Sequence, residues 1–233
     1  FRLDSDLRSF YEGSLLGLFS PFAVMTGLLS VAMVVMHGAG FLSVKIERGA
    51  VLDRARRIGS VAAIASVILF AAGGLWVANG AMGFRLEGVV DPNGPSNPLF
   101  VKTVAAPGAW IDNYGRHPWM AIAPILGLVG PLVALLGIRR HSHVLNLAGS
   151  SLATVGIIAT VGLSMFPFIL PSSIDPQSSL TAWNASSSHL TLWIMLLVTV
   201  IFLPLVLAYT AWVMKVLFGR VTLRDVRTNP DFY

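Results

Sequence analysis

Cysteine is absent from this 233-residue chain, and charge is scarce. Without a thiol the chain carries no disulfide, no thiolate-held iron–sulfur cluster, no Cys-ligated haem and no Cys-rich zinc site. Asp, Glu, Lys and Arg together make up 12% of the residues, whereas a soluble domain carries about 25%. Nor is there a phosphate-cradling glycine loop, a nucleophile paired with a base, or a carboxylate pair. What fills the chain is apolar: 55% of it is hydrophobic, and its mean hydropathy is +0.75.

Five stretches, free of charge but for Lys215 near the end of the last, are long enough to cross a bilayer as α-helices, which takes about 20 apolar residues. They fall at residues 15–44, 58–78, 119–138, 144–170 and 190–218. The expected fold is therefore all-α, a polytopic transmembrane helix bundle with five spans, and residues 1–233 form a single transmembrane domain. Most soluble-enzyme functions are excluded at this point.

The net charge of +5 and pI of 10.1 do not signal nucleic acid, because the basic residues adjoin span ends. Lys45, Arg48, Arg54, Arg56 and Arg57 follow the first span, Arg139 and Arg140 the third, and Lys215, Arg220, Arg224 and Arg227 the fifth. The opposite side carries Arg2, Arg8, Arg85, Lys102 and Arg116. The positive-inside rule then predicts a cytoplasmic C-terminus, an outer Phe1, and contact of the basic side with anionic lipid. An outer N-terminus needs a means of export. The opening FRLDSDLRSFYEG shows neither an initiator Met nor a signal peptide. The chain is therefore expected to be the C-terminal part of a larger subunit with further spans upstream.

Gly27, Ser30, Gly38 and Gly40 in span 1, Gly59 to Ser66 with Gly73 and Gly74 in span 2, and Gly149, Ser150, Ser151, Gly156 and Gly162 in span 4 predict helix faces built for close approach. Two long connections are expected on the outer side. Residues 79–118 contain Pro92, Pro95, Pro98 and Pro107, which preclude a continuous helix at their start. They end in Trp110, Tyr114 and Trp119, aromatics suited to headgroups. Residues 171–189 are polar and lack Lys and Arg; Asn184-Ala-Ser186 within them matches a glycosylation sequon.

His37 is the one histidine well inside a span, and intramembrane His is a suspect for haem ligation or proton transfer. Its position near a span end, beside Gly38 and Gly40, equally suits a bond to a backbone carbonyl of a neighbouring helix. His141 and His143 flank Ser142 in a basic turn with no third metal ligand nearby, and His117 and His189 adjoin span ends. Pro124 and Pro131, Pro204, and Phe166-Pro167-Phe168 are expected to kink their helices. Those prolines leave a transporter half open as a reading, although midplane charge is missing. An assembly factor is a third class. No catalytic, cofactor-binding or metal-ligating residue is assigned.

One segment goes beyond class. Ser164-Met-Phe-Pro-Phe-Ile-Leu-Pro-Ser-Ser173, then Ser179-Leu-Thr-Ala-Trp-Asn-Ala-Ser-Ser187 and Leu190-Thr-Leu192, resembles subunit II of the bacterial cytochrome bd quinol oxidases. Pro21-Phe-Ala23 leading to Gly27-Leu28, Asn97-Pro-Leu99, Gly108-Ala-Trp110, Tyr209-Thr-Ala-Trp212 and Phe218-Gly-Arg220 are similar to the same family. The likeness runs nearly end to end and is weakest around residues 85–96. Asn184 stands where the family often has an acid.

The resemblance implies a subunit of about nine spans, two four-helix bundles and a peripheral helix, with this chain matching the later five. It implies a bacterial inner-membrane quinol:oxygen oxidoreductase that reduces dioxygen to water and supports a proton-motive force. Two b-type haems, one d-type haem and the quinol-binding loop would all lie in a partner, subunit I. Small single-span accessory subunits accompany some members, and in some a structural quinone or lipid fills the haem-equivalent cavity of subunit II. The residues proposed for proton entry belong to the family's N-terminal half and transfer to no position here. The implied role of this chain is to pack against subunit I and keep water from its haem pocket.

Overall fold

The computed structural model describes residues 2–9, 11, 13–80, 83–88, 91, 94, 97, 101–216 and 219. Phe1, Pro92, Pro95, Pro98, Leu99, Phe218, Arg220, Arg224 and Arg227, all invoked above, lie outside them.

Five helices have the length and composition to cross a membrane. The first, α1 (Pro21–Lys45), begins where Ser20 Oγ accepts the Ala23 N–H at 3.2 Å and Pro21 takes the first helical position. The second, α2 (Ala50–Asn79), starts earlier than its apolar stretch because charged residues build its first turns. Asp53 there suits the positive end of the helix dipole. A hairpin of β1 (Phe84–Glu87) and β2 (Lys102–Ala105), then the short helix α3 (Asp112–Arg116), follow in the long connection. A single 3-10 turn leads into α4 (Ile122–Arg139), and Ser142 caps α5 (His143–Met165). Strands β3 (Phe168–Leu170) and β4 (Leu180–Thr181) pair before α6 (His189–Val216).

Two expectations about proline are corrected. Phe166-Pro167-Phe168 does not kink a span: α5 ends at Met165 and β3 follows, so the fourth helix stops short of residue 170. A residue ahead of proline is pushed from α towards extended geometry, and Phe166 has φ −54° and ψ 134°. Pro124 falls in the first turn of α4, where its missing N–H has no intrahelical acceptor to lose. Pro131 and Pro204 do lie inside their helices.

Helices α1, α2, α4 and α5 form a four-helix bundle, with α1 and α4 on one diagonal. The short turns join α1 to α2 and α4 to α5 at one end. The hairpin, α3 and the β3–β4 segment cover the other. The bundle's centre is small and tight, made of Met36, Ala62, Ala63, Ala134 and Ala153. The outward faces are bare hydrocarbon, as at Val31, Val61, Ile125 and Ile158. No residue of α6 is buried against the rest of the chain.

The bundle's tightness yields a prediction. A Cβ on Gly156 meets the Leu126 carbonyl carbon at 2.7 Å and the Ala123 oxygen at 2.8 Å, both rigid backbone, whereas one on Gly162 meets nothing within 4 Å. Gly156→Leu is expected to cost about 3 kcal/mol, and Gly162→Leu close to nothing, in thermal unfolding of the purified membrane protein. Equal melting points for the two variants would show that this seam does not hold the bundle.

Candidate functional site

The functional feature this sequence builds is a set of seams between helices. Along the α4/α5 contact the backbones nearly touch: a Cβ on Gly130 would lie 2.6 Å from Ala153 Cα, one on Gly149 2.8 Å from the Val133 carbonyl carbon, and one on Gly137 2.8 Å from Asn146 Cα. Where α1 meets α2, the Gly59 position faces Ala39 Cβ at 2.6 Å, and where α1 meets α5, Gly40 faces Ser150 Oγ at 2.8 Å. Lipid provides no hydrophobic drive for helix association, so dispersion between closely approaching backbones has to hold such a bundle.

The small-residue faces expected on spans 2 and 4 are the ones buried, through Gly59, Ala62, Ala63 and Ser66 on α2 and Gly149, Ser150, Ala153 and Gly156 on α5. Gly27, Gly38, Gly74 and Gly162 do not join them: nothing lies within 4 Å of where their Cβ atoms would be. The face missed from sequence is that of α4. Its signal was Gly127, Gly130, Ala134 and Gly137, spaced by three, four and three residues along one helix face.

His37 is half-buried and faces α5, with Nδ1 3.1 Å from Ser150 Oγ. Its partner is thus a side-chain hydroxyl, where a backbone carbonyl had been expected. The same Ser150 hydroxyl lies 2.9 Å from Leu147 O, so it bridges the α5 backbone and the α1 imidazole. One turn earlier Asn146 is buried, and its side-chain oxygen has no hydrogen-bond partner among the described residues. No three His, Cys, Asp or Glu side chains converge as metal ligands among the described residues. A porphyrin does not fit between these four helices. Their axes are held together by glycine-to-backbone contact, and the centre is filled by Met36 and four alanines. Of the remaining histidines, His141 is exposed in the α4–α5 turn with φ 54°, and His143 is half-buried at the start of α5.

A polar plug closes the other end. Ser172, Ser178, Ser179, Thr181 and Asn184 are all buried, and they bond to one another. Ser172 N–H donates to Ser179 Oγ at 3.0 Å, and Ser178 Oγ donates to Asp175 at 2.7 Å. Asn184 Oδ1 accepts from Thr181 N at 2.6 Å and from Thr181 Oγ1 at 2.9 Å, while Nδ2 donates to Ser179 O at 3.2 Å. The N-terminal segment straps over the plug, with Ser172 Oγ donating to Leu3 O at 2.8 Å. From α3, Asn113 Nδ2 reaches the free carbonyls of Leu163 at 2.9 Å and Phe166 at 2.5 Å, capping α5. Tyr114 OH pairs with Ser164 Oγ at 2.5 Å. Of the aromatics expected among headgroups, Trp119 is exposed; Trp110 instead packs against Phe84 and Phe168, with ring centroids 5.8 and 5.5 Å away. Asn184, where the family often has an acid, thus bonds through both its oxygen and its nitrogen within the local turn.

Buried glycine seams, bare apolar flanks and one capped end define a polytopic membrane-helix bundle. The family follows from sequence comparison. The model for "Cytochrome bd terminal oxidase subunit II" matches residues 2–217, and the chain belongs to that family. It is 38% identical over 229 residues to "Cytochrome bd-I ubiquinol oxidase subunit 2" of Escherichia coli (strain K12), covering 98% of this chain and 60% of that protein. It is 35% identical over 219 residues to "Probable cytochrome oxidase subunit 2" of Haemophilus influenzae, covering 94% of this chain and 57% of the relative. The chain therefore spans about three-fifths of the length of these relatives.

Two substitutions test the site. Asn184→Ala strips partners from three buried groups of the plug and is expected to cost about 2 kcal/mol in thermal unfolding; an unchanged melting point would mean the plug is not cooperative with the bundle. His37→Gln keeps a donor for Ser150, and its cost is expected near 0.6 kcal/mol, the usual worth of an intramembrane hydrogen bond. A haem band lost from the optical spectrum of the His37→Gln protein would instead make that imidazole a ligand.

Proposed function

We propose that this chain is the C-terminal bundle and peripheral helix of a haem-free subunit II in a cytochrome bd-type terminal oxidase, a complex that oxidises quinol and reduces dioxygen to water. The observation that carries the reading is the combination of family membership with a bundle centre too tightly packed to admit a macrocycle. In this reading the haem-bearing subunit I is the partner, and the two b-type haems and one d-type haem belong to it. The apolar outer faces of α1, α2, α4 and α5 and the whole of α6 supply surface for that partner, for accessory subunits and for lipid. Residues of this chain exclude water and hold shape. A low dielectric beside a haem raises the cost of stray charge and so limits proton leakage.

The orientation follows from charge. Lys45, Arg48, Arg54, Arg56, Arg57, Arg139 and Arg140 all adjoin the short-turn end of the bundle, so that end faces the cytoplasm and the plug faces outward. Proton-motive force would then arise from quinol oxidation on the plug side and proton uptake from the cytoplasm, both through the partner.

The test is spectral and stoichiometric. Purified from native membranes, the complex is expected to show b- and d-type haem bands in a reduced-minus-oxidised spectrum and to retain this chain in fixed ratio with a larger partner. After mild denaturing electrophoresis, haem stain should run with the partner alone. Stain on this chain, or a preparation without the d band, would overturn the proposal.

A further inference from the structure

We propose that the plug end of the bundle carries a binding site for the phosphate of an anionic phospholipid, centred on Arg116. A pocket of about 40 Å³ opens there, and its charged lining consists of Arg85, Asp112 and Arg116. Arg85 is committed to Asp112, with Nε donating to Oδ2 at 2.9 Å. Arg116 has neither a hydrogen bond nor an ion pair among the described residues, and it is exposed. The remaining acid nearby on the hairpin, Glu87, lies opposite Lys102 in the β1–β2 register. The pocket therefore holds one uncompensated positive charge and wants an anion.

Its surroundings say which anion. The floor is the aromatic cluster of Phe84, Trp110 and Phe168, whose centroids lie 5.5 to 6.1 Å apart. Two residues beyond Arg116, Pro118 begins the membrane-crossing segment. Trp119 (61% exposed) and Ile122 (58%) follow, and Phe166 of the pocket lining and Ile169 are exposed as well. A guanidinium at that level has phosphate for a neighbour, and its planar fork matches phosphate oxygens in pairs. Phe166, which lines the pocket, is exposed, and so is Trp119 three residues along the chain from Arg116; they offer apolar surface for glycerol and the first methylenes. A soluble anion would use the charge and leave this apolar rim in water; a phospholipid uses both. An acidic side chain from another subunit would use the charge as well, and the test treats it as the rival.

The experiment uses the intact complex. It is stripped of lipid with detergent and offered a photoactivatable phosphatidylglycerol whose diazirine sits near the head of one acyl chain; cross-linked peptides are then mapped. Label is expected on peptides containing residues 84–86, 110–122 or 166–169. Unlabelled phosphatidylglycerol should displace it, and phosphatidylcholine with the same chains should displace it far less. Arg116→Gln should lower it about tenfold, the lower end of the worth of one charge-assisted bond, and Arg116→Lys should restore part. Because Arg116 makes no internal bond, its variants are expected to keep the wild-type melting point and haem spectrum, which separates failure here from failure of the oxidase assignment. Labelling unchanged in Arg116→Gln overturns the proposal. So does displacement by millimolar inorganic phosphate, or zero-length cross-linking that, in the Arg116→Lys variant, couples a neighbouring subunit's carboxylate to the new amine in the absence of label.

Discussion

Close approach of helix backbones is the constraint on which the rest of this molecule depends. In lipid, a leucine gains nothing by leaving one hydrocarbon surface for another, so association rests on dispersion between atoms that can come near enough to benefit. Glycine, alanine and serine at Gly130, Gly137, Gly149, Ala153 and Gly156 permit that approach along α4 and α5. Once those two helices are locked, α1 and α2 close the square through Gly40 and Gly59. The seam also determines what the bundle cannot hold, since backbone occupies the volume a macrocycle would need.

The capped end solves a different problem. Irregular backbone near a membrane must satisfy its own polar groups, and residues 171–187 do so with serine, threonine and asparagine side chains. Asn113 finishes α5 from outside by bonding carbonyls that the helix leaves open. The arrangement spends almost no charge, and among the described residues Arg116 has no ion-pair partner beside the aromatic cluster. Membership of the cytochrome bd terminal oxidase subunit II family places both ends in a membrane-helix subunit.

Much of this was legible in the residues. Long charge-free runs mark helices because an unsatisfied backbone group in lipid is too costly for any other spanning form, and all five runs became helices. The small-residue faces of α2 and α5 were visible as well. The ladder on α4 went unnoticed because its four members are separated by bulky apolar residues and leave the local composition looking ordinary. Phe166-Pro167-Phe168 reads as a kink in the sequence because a proline in an apolar run looks alike whether the helix continues past it or stops. The plug was recognisable as a motif, but which side chains it buries depends on strands and turns that bring residues 3, 172 and 179 together.

By itself the sequence determined the number of membrane-crossing helices and the family, because hydropathy and a long, specific match are properties of order along the chain. Tertiary structure alone decided which faces meet, that His37 bonds Ser150, that α6 stands apart, and that Arg116 is left without a counter-charge among the described residues. The reason is physical: in a medium where every apolar face is equally at ease, contact is chosen by shape and by the pairing of a few polar groups. Those depend on distances between residues far apart in the chain.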